Sequence, residues 1–257
     1  MTDPVLDCRG LAVAFGGNQV LDGIDLTAGP GFNGLIGPNG AGKTTLFNVI
    51  TGYVRPQAGE VLLEGTALLG RGPAAVSRAG VARTFQTPKL IQDMSAVENA
   101  MLGVDGARRL ADWRALLGLP ASERRSRAEA RALLGEFGLA RFADEPVANM
   151  PLGSQKLVEV VRALLTRPRV LLLDEPAAGV SSVDVARMTE PLVRVAERDG
   201  LCIVIIEHDL ELVAQLCPTV TVLDFGRVLA VGPPAEVTRQ PEVVRAYLGV
   251  GFVAADE

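Results

Sequence analysis

Residues 34–52, GLIGPNGAGKTTLFNVITG, crowd glycines, Pro38 and Asn39 against Lys43 and two threonines, then turn apolar and helix-like. Gly37 to Thr44 fit G-x-x-x-x-G-K-T, after the short apolar GLI and before TLFNVI, so the stretch reads as strand, loop and helix. Glycines let successive backbone N–H groups curl around a phosphate without Cβ obstruction. The helix that starts there adds free amides and the positive end of its dipole. On this reading Gly37, Pro38, Asn39, Gly40, Ala41 and Gly42 form a phosphate cradle and Lys43 reaches the β- and γ-phosphates. The Thr44 hydroxyl helps hold Mg²⁺, and Thr45 adds a contact on the α-phosphate side. A glycine-rich turn that only caps a helix is the plainer alternative.

The other half of such a site is expected at a second strand end. Two runs, RVLLLDEP at 169–176 and LCIVIIEHD at 201–209, are continuously apolar and then finish in acidic or polar residues. That pattern fits parallel strands buried on both faces, with functional side chains at their carboxyl ends. Asp174 is placed to hold Mg²⁺, directly or through water, and Glu175 to orient an attacking water or accept its proton. His208, the one histidine of the chain, follows the second run and is placed to touch the γ-phosphate. Zinc is excluded there, for want of partner histidines or clustered cysteines. Between the runs, SVDVARMTEPLVRVAERDG reads as a crossover helix with an irregularity near Pro191.

Around these motifs the chain reads as an ordinary folded protein. Its 257 residues suffice for one large core or a core with an inserted lobe. Hydrophobic residues at 48% against 21% charged exclude a disordered chain. A net charge of −5 offers no general attraction to nucleic acid or an anionic membrane. Cys8, Cys202 and Cys217 are widely separated and odd in number, which points to a reduced, intracellular setting. MTDPVLDCRG lacks the apolar region of a secretory signal, and no apolar run approaches the roughly 20 residues of a membrane span.

Short β-type alternations lie at 5–30 and 59–70. Residues 95–145 lack a β pattern. SAVENAMLG, ARRLADWRALLG and SERRSRAEARALLGEFGL make this a helical lobe inserted into an α/β core. The glutamates in and beside RRSRAEAR, Glu123 and Glu129, favour a solvated helix face over an RNA patch.

Taken together, these residues resemble the ATP-binding subunits of ABC transporters. The elements stand in that family's order: the loop at 37–45, Gln86 in RTFQ, the signature-like MPLGSQ at 150–155, LLLDEP, and the histidine of IIEHD. GVARTFQTPKL, MSAVENAMLG, DEPAAGVS, IIEHDLELV and PEVVRAYLG look like its branched-chain amino-acid importer branch. The resemblance covers essentially the whole chain. It implies a single P-loop NTPase domain of α/β class with a mainly parallel sheet and an N-terminal antiparallel β subdomain. Residues 1–90 and 160–257 would form that core and residues 91–159 the helical subdomain with the signature.

It implies further that Phe15 stacks on adenine, and that Gln86 touches Mg²⁺ and the attacking water while coupling the site to the helical lobe. The cofactors implied are ATP and Mg²⁺. The implied partners are a second ABC subunit in a homo- or heterodimer, integral membrane permease subunits, and a solute-binding protein acting indirectly, with no nucleic acid. The implied place is the cytoplasmic face of the cell membrane. Each subunit would present its signature, through Pro151, Gly153 and Ser154, to the other's ATP. Two departures bear on rate. Pro151 stands where the family uses a serine hydroxyl, with Ser154 as the candidate replacement, and Ser181 stands where an aspartate or asparagine is usual. A slower ATPase is expected. A weakly catalytic ATP-binding regulator and a soluble non-transport ABC ATPase are the alternatives.

Overall fold

The computed structural model describes residues 4–108 and 120–248, so most of the ARRLADWRALLG pattern lies outside the described residues. The chain divides into two compact units, Met1–Ala79 with Cys202–Glu257, and Gly80–Leu201. The first unit begins with β1 (Leu6–Phe15), β2 (Asn18–Ala28), β3 (Gly31–Ile36), α1 (Lys43–Ile50), β4 (Ala58–Leu63), β5 (Thr66–Ala67) and α2 (Pro73–Ala79). The second unit holds β6 (Val81–Arg83), α3 (Ala96–Arg108), α4 (Pro120–Glu136), α5 (Leu152–Leu164), β7 (Val170–Asp174) and α6 (Ser182–Asp199). The chain then completes the first unit with β8 (Cys202–Ile206), α7 (Leu210–Leu216), β9 (Thr219–Asp224), β10 (Arg227–Gly232), α8 (Pro234–Val237) and α9 (Pro241–Leu248).

In the first unit, β2, β1, β4 and β5 form an antiparallel sheet in that order. Its register sets Leu11 opposite Ile24 and Val13 opposite Leu21, all four buried, so the alternation read in the sequence becomes one apolar face. A second sheet runs β10, β9, β3, β8. Its strands β9, β3 and β8 are parallel, and β10 closes the edge antiparallel to β9. β8 is buried along its whole length, as a parallel strand covered on both faces must be. The three cysteines are free and buried, and burial pushes the thiols of Cys202 and Cys217 up to about 12.

In the second unit, β6 and β7 pair in parallel, and every residue of β7 is buried. α3 starts with a capping box: Ser95 N–H and Oγ donate to Glu98 Oε2, while Glu98 N–H donates to Ser95 Oγ. α3 packs so closely on α5 that a Cβ on Gly103 would sit 2.1 Å from the Arg162 carbonyl oxygen. α6 opens on Ser181, whose hydroxyl accepts from Asp184 N–H, and closes on Gly200 at φ 64. The expected irregularity is not found: α6 runs continuously through Pro191. The proline gives up one helical hydrogen bond, and it is buried beside Leu192 on the same face as Met188 and Val195.

Candidate functional site

In the first unit the parallel pairing of Leu35 with Ile206 carries β3 and β8 to the same edge of the sheet. Gly37 leaves one strand there and His208 follows the other. Gly37 takes φ 146, and a Cβ at this position would lie 2.0 Å from the Leu223 carbonyl oxygen. Gly42 caps α1 at φ 105, with Leu21 Cδ2 only 2.7 Å from where its Cβ would be. Backbone conformation and lack of room both demand glycine at these two positions. Lys43 is buried and donates from Nζ to the carbonyls of Gly37 at 2.6 Å and Pro38 at 2.9 Å. The α1 N-terminus has no acidic residue in its first turn and no side-chain cap, so its positive end is left for an anion. Asn39, Gly40 and Thr44 are exposed, and Thr45 is half-buried.

The cradle is braced from behind. The turn between β9 and β10 places both Phe225 (φ 41) and Gly226 (φ 74) in the left-handed region of a two-residue hairpin. From there Gly226 N–H donates to the Ala41 carbonyl at 3.1 Å, and Asp22 N–H donates to the Gly226 carbonyl at 2.8 Å. Tyr247 of α9 takes a hydrogen bond from Gly37 N–H, while burial raises its phenol. Phe15, at the end of β1, is half exposed, with its ring available to a flat partner. His208 is exposed and directly precedes Asp209, which caps α7 by accepting from Glu211 and Leu212 N–H.

The second unit gathers the carboxylates. Pairing of Arg83 with Leu172 brings the end of β6 beside the end of β7. Arg83 Nη2 then lies 2.6 Å from Asp174 Oδ2, with both side chains buried. Glu175, next in the chain, holds φ 48, a strained conformation for a residue with a side chain. Gln86 Nε2 donates to its Oε2 at 2.7 Å. Thus Gln86 meets Glu175, while Asp174 beside it is held by Arg83. Pro151 caps α5 and, like Leu152, is exposed. A Cβ on Gly153 would stand 2.6 Å from Asp184 Oδ2, so a side chain here would push that carboxylate aside. Ser154, the candidate hydroxyl in place of the one lost at Pro151, lies in the first turn of α5 and is largely covered within the chain.

Thr44 in the first unit, and Gln86 and Asp174 in the second, each carry a hard oxygen of the kind Mg²⁺ takes alongside water and phosphate oxygens. Among the described residues no group of three or more His, Cys, Asp or Glu could hold a metal alone. Sequence reasoning missed Arg83, Lys156, Glu159, the Phe225–Gly226 turn and Tyr247. The arginine stood in the quoted RTFQ, but nothing local shows that it faces Asp174. Lys156 and Glu159 look like the solvated face of a helix until α5 is seen packed on both sides.

Comparison with known proteins gives two family matches. The ABC transporter model matches residues 21–178, and the branched-chain amino acid ATP-binding cassette transporter model matches residues 227–253. The chain is 36% identical over 254 residues to the high-affinity branched-chain amino acid transport ATP-binding protein LivG of Escherichia coli, covering 97% of this chain and 99% of LivG. It is 35% identical over 253 residues to the corresponding protein BraF of Pseudomonas aeruginosa, with the same coverage. Among solved structures, an ATP-binding cassette of an ABC transporter in its ADP conformation superposes with a TM-score of 0.84 at 30% identity, over 96% of this chain and 100% of that one. A nucleotide-free cassette gives 0.83 at 29%, over 96% and 99%.

Proposed function

The chain belongs to the ABC transporter family, among its ATP-binding proteins of the branched-chain amino acid transport type, and on that premise we propose how it works and for what substrate. Members of this family hydrolyse ATP. The proposed task is to power uptake of branched-chain or closely related amino acids through separate membrane permease subunits, from the cytoplasmic face. A second ABC subunit would complete the motor, and a solute-binding protein would deliver substrate from outside. The observation that carries this reading is the near-full-length similarity to LivG and BraF, which the motif residues of this chain accompany.

In the proposed mechanism Lys43 and the amides from Gly37 to Thr45 take the phosphates, Phe15 stacks on the adenine, and His208 senses the γ-phosphate. Thr44, Asp174 and Gln86 would hold Mg²⁺, which when bound neutralises charge on the transferred phosphoryl group. Glu175, steered by Gln86, orients the attacking water or accepts its proton. The exposed start of α5 meets the partner's nucleotide, and residues 91–159 act as the helical subdomain that passes motion to the permease. Pro151 brings no hydroxyl to this end and leaves Ser154 as its candidate replacement, which favours slow turnover over rapid turnover.

The test is co-purification with membrane permease subunits, reconstitution in vesicles, and Mg·ATP hydrolysis with candidate amino acids. Stimulation by leucine, isoleucine or valine is expected. Hydrolysis indifferent to every amino acid would overturn the transport reading.

A further inference from the structure

Helix α5 carries Lys156, Glu159 and Arg162 at every third position, with Lys156 and Glu159 almost wholly excluded from solvent. A buried charge is costly unless it is paired and hydrogen-bonded, so what these groups hold is informative. Lys156 Nζ donates to the carbonyls of Glu175 at 3.0 Å, Pro176 at 3.3 Å and Ala178 at 2.7 Å. One helical turn on, Glu159 accepts from Phe85 N–H at 3.1 Å and from Lys89 N–H at 2.8 Å. Arg162 closes this second grip, donating to Glu159 Oε1 at 3.3 Å and to the Lys89 carbonyl at 2.6 Å.

The two grips therefore fall on the main chains that carry the meeting side chains. Lys156 holds the carbonyl of Glu175, the residue forced to φ 48. Glu159 holds both flanks of Gln86 through Phe85 and Lys89. Three residues on a helix are about 4.5 Å apart along its axis, which fixes the spacing of the two segments. Without a donor at its carbonyl, the strained backbone of Glu175 would relax and its carboxylate would lose its aim.

We infer that Lys156 and Glu159 are positioning residues for ATP hydrolysis, gripping the Glu175 and Gln86 loops from one helix so that the two side chains stay in register. This rests on the role proposed above for Glu175. Because α5 starts at Pro151, a shift of its exposed end moves both grips together.

The test uses the full chain with Mg·ATP, and measures steady-state turnover, nucleotide affinity by calorimetry and thermal unfolding. Lys156→Met should lower kcat by about tenfold or more while the ATP Kd stays within about twofold. Glu159→Gln should show the same split at smaller size. Lys156→Met added to Glu175→Gln should slow the residual turnover no further, since nothing is left to aim. Wild-type kcat in a folded Lys156→Met variant overturns the inference, as does an additive loss in the double variant, or an ATP affinity that falls in step with kcat. Should Lys156→Met not fold, Glu159→Gln decides by the same split. A Glu175→Gln variant at wild-type rate would instead refute the role of Glu175 itself, leaving the two failures distinguishable.

Discussion

Arg83 and Asp174 form a buried ion pair, with Nη2 of the arginine 2.6 Å from Oδ2 of the aspartate. Two charges taken out of water attract strongly, but each also depends on the other for solvation. Arg83→Gln should therefore destabilise the chain by about 3–5 kcal/mol, because it leaves a carboxylate buried alone. A urea unfolding midpoint equal to that of the wild type would show that Asp174 finds another partner.

Glu175 meets Gln86 while standing in a left-handed conformation. Glu175→Gln keeps the shape and removes the proton acceptor. Turnover should fall on the order of a hundredfold or more, with ATP binding intact. Size-exclusion chromatography with ATP should then show a trapped dimer. Unchanged turnover would contradict the assigned role.

The phosphate cradle can be broken in two separable ways. Gly37→Ala forces a Cβ to within 2.0 Å of the Leu223 carbonyl oxygen, so both thermal stability and ATP affinity should drop. Lys43→Ala leaves the loop's glycines in place. It should cost about 1.5–3 kcal/mol of ATP binding, roughly ten- to a hundredfold in Kd by calorimetry. Wild-type affinity in the lysine variant would remove the basis of the cradle reading.

Glu159 makes stability depend on pH. Desolvation raises its carboxyl above the usual range, outweighing the downward pull of the Lys89 and Phe85 amides and of Arg162 and Lys156. The folded chain thus holds this proton more tightly than the unfolded one, whose glutamates titrate at about 4.3. The stability it contributes is full below that value and is lost as pH rises through the folded pKa. Compared with Glu159→Gln, the wild type should lose ground steadily from about pH 4 towards neutrality. A stability difference that stays flat across that range would show that Glu159 does not titrate with folding.

The sequence by itself determined the local chemistry. Glycines at 37, 40 and 42, the lysine and threonines behind them, and the acidic ends of apolar strands each carry their own physical reason, since main-chain freedom and hydropathy are properties of neighbours in the chain. Gly37 and Gly42 were legible for this cause. Tertiary structure alone decided which side chain faces which. It set Arg83 against Asp174, buried Ser154, let α6 pass through Pro191, and turned Lys156 and Glu159 inward to hold two distant loops. A charge on a helix gives no local sign of whether water or a backbone carbonyl will solvate it. That choice depends on what packs against the helix, which is settled only when the chain has folded.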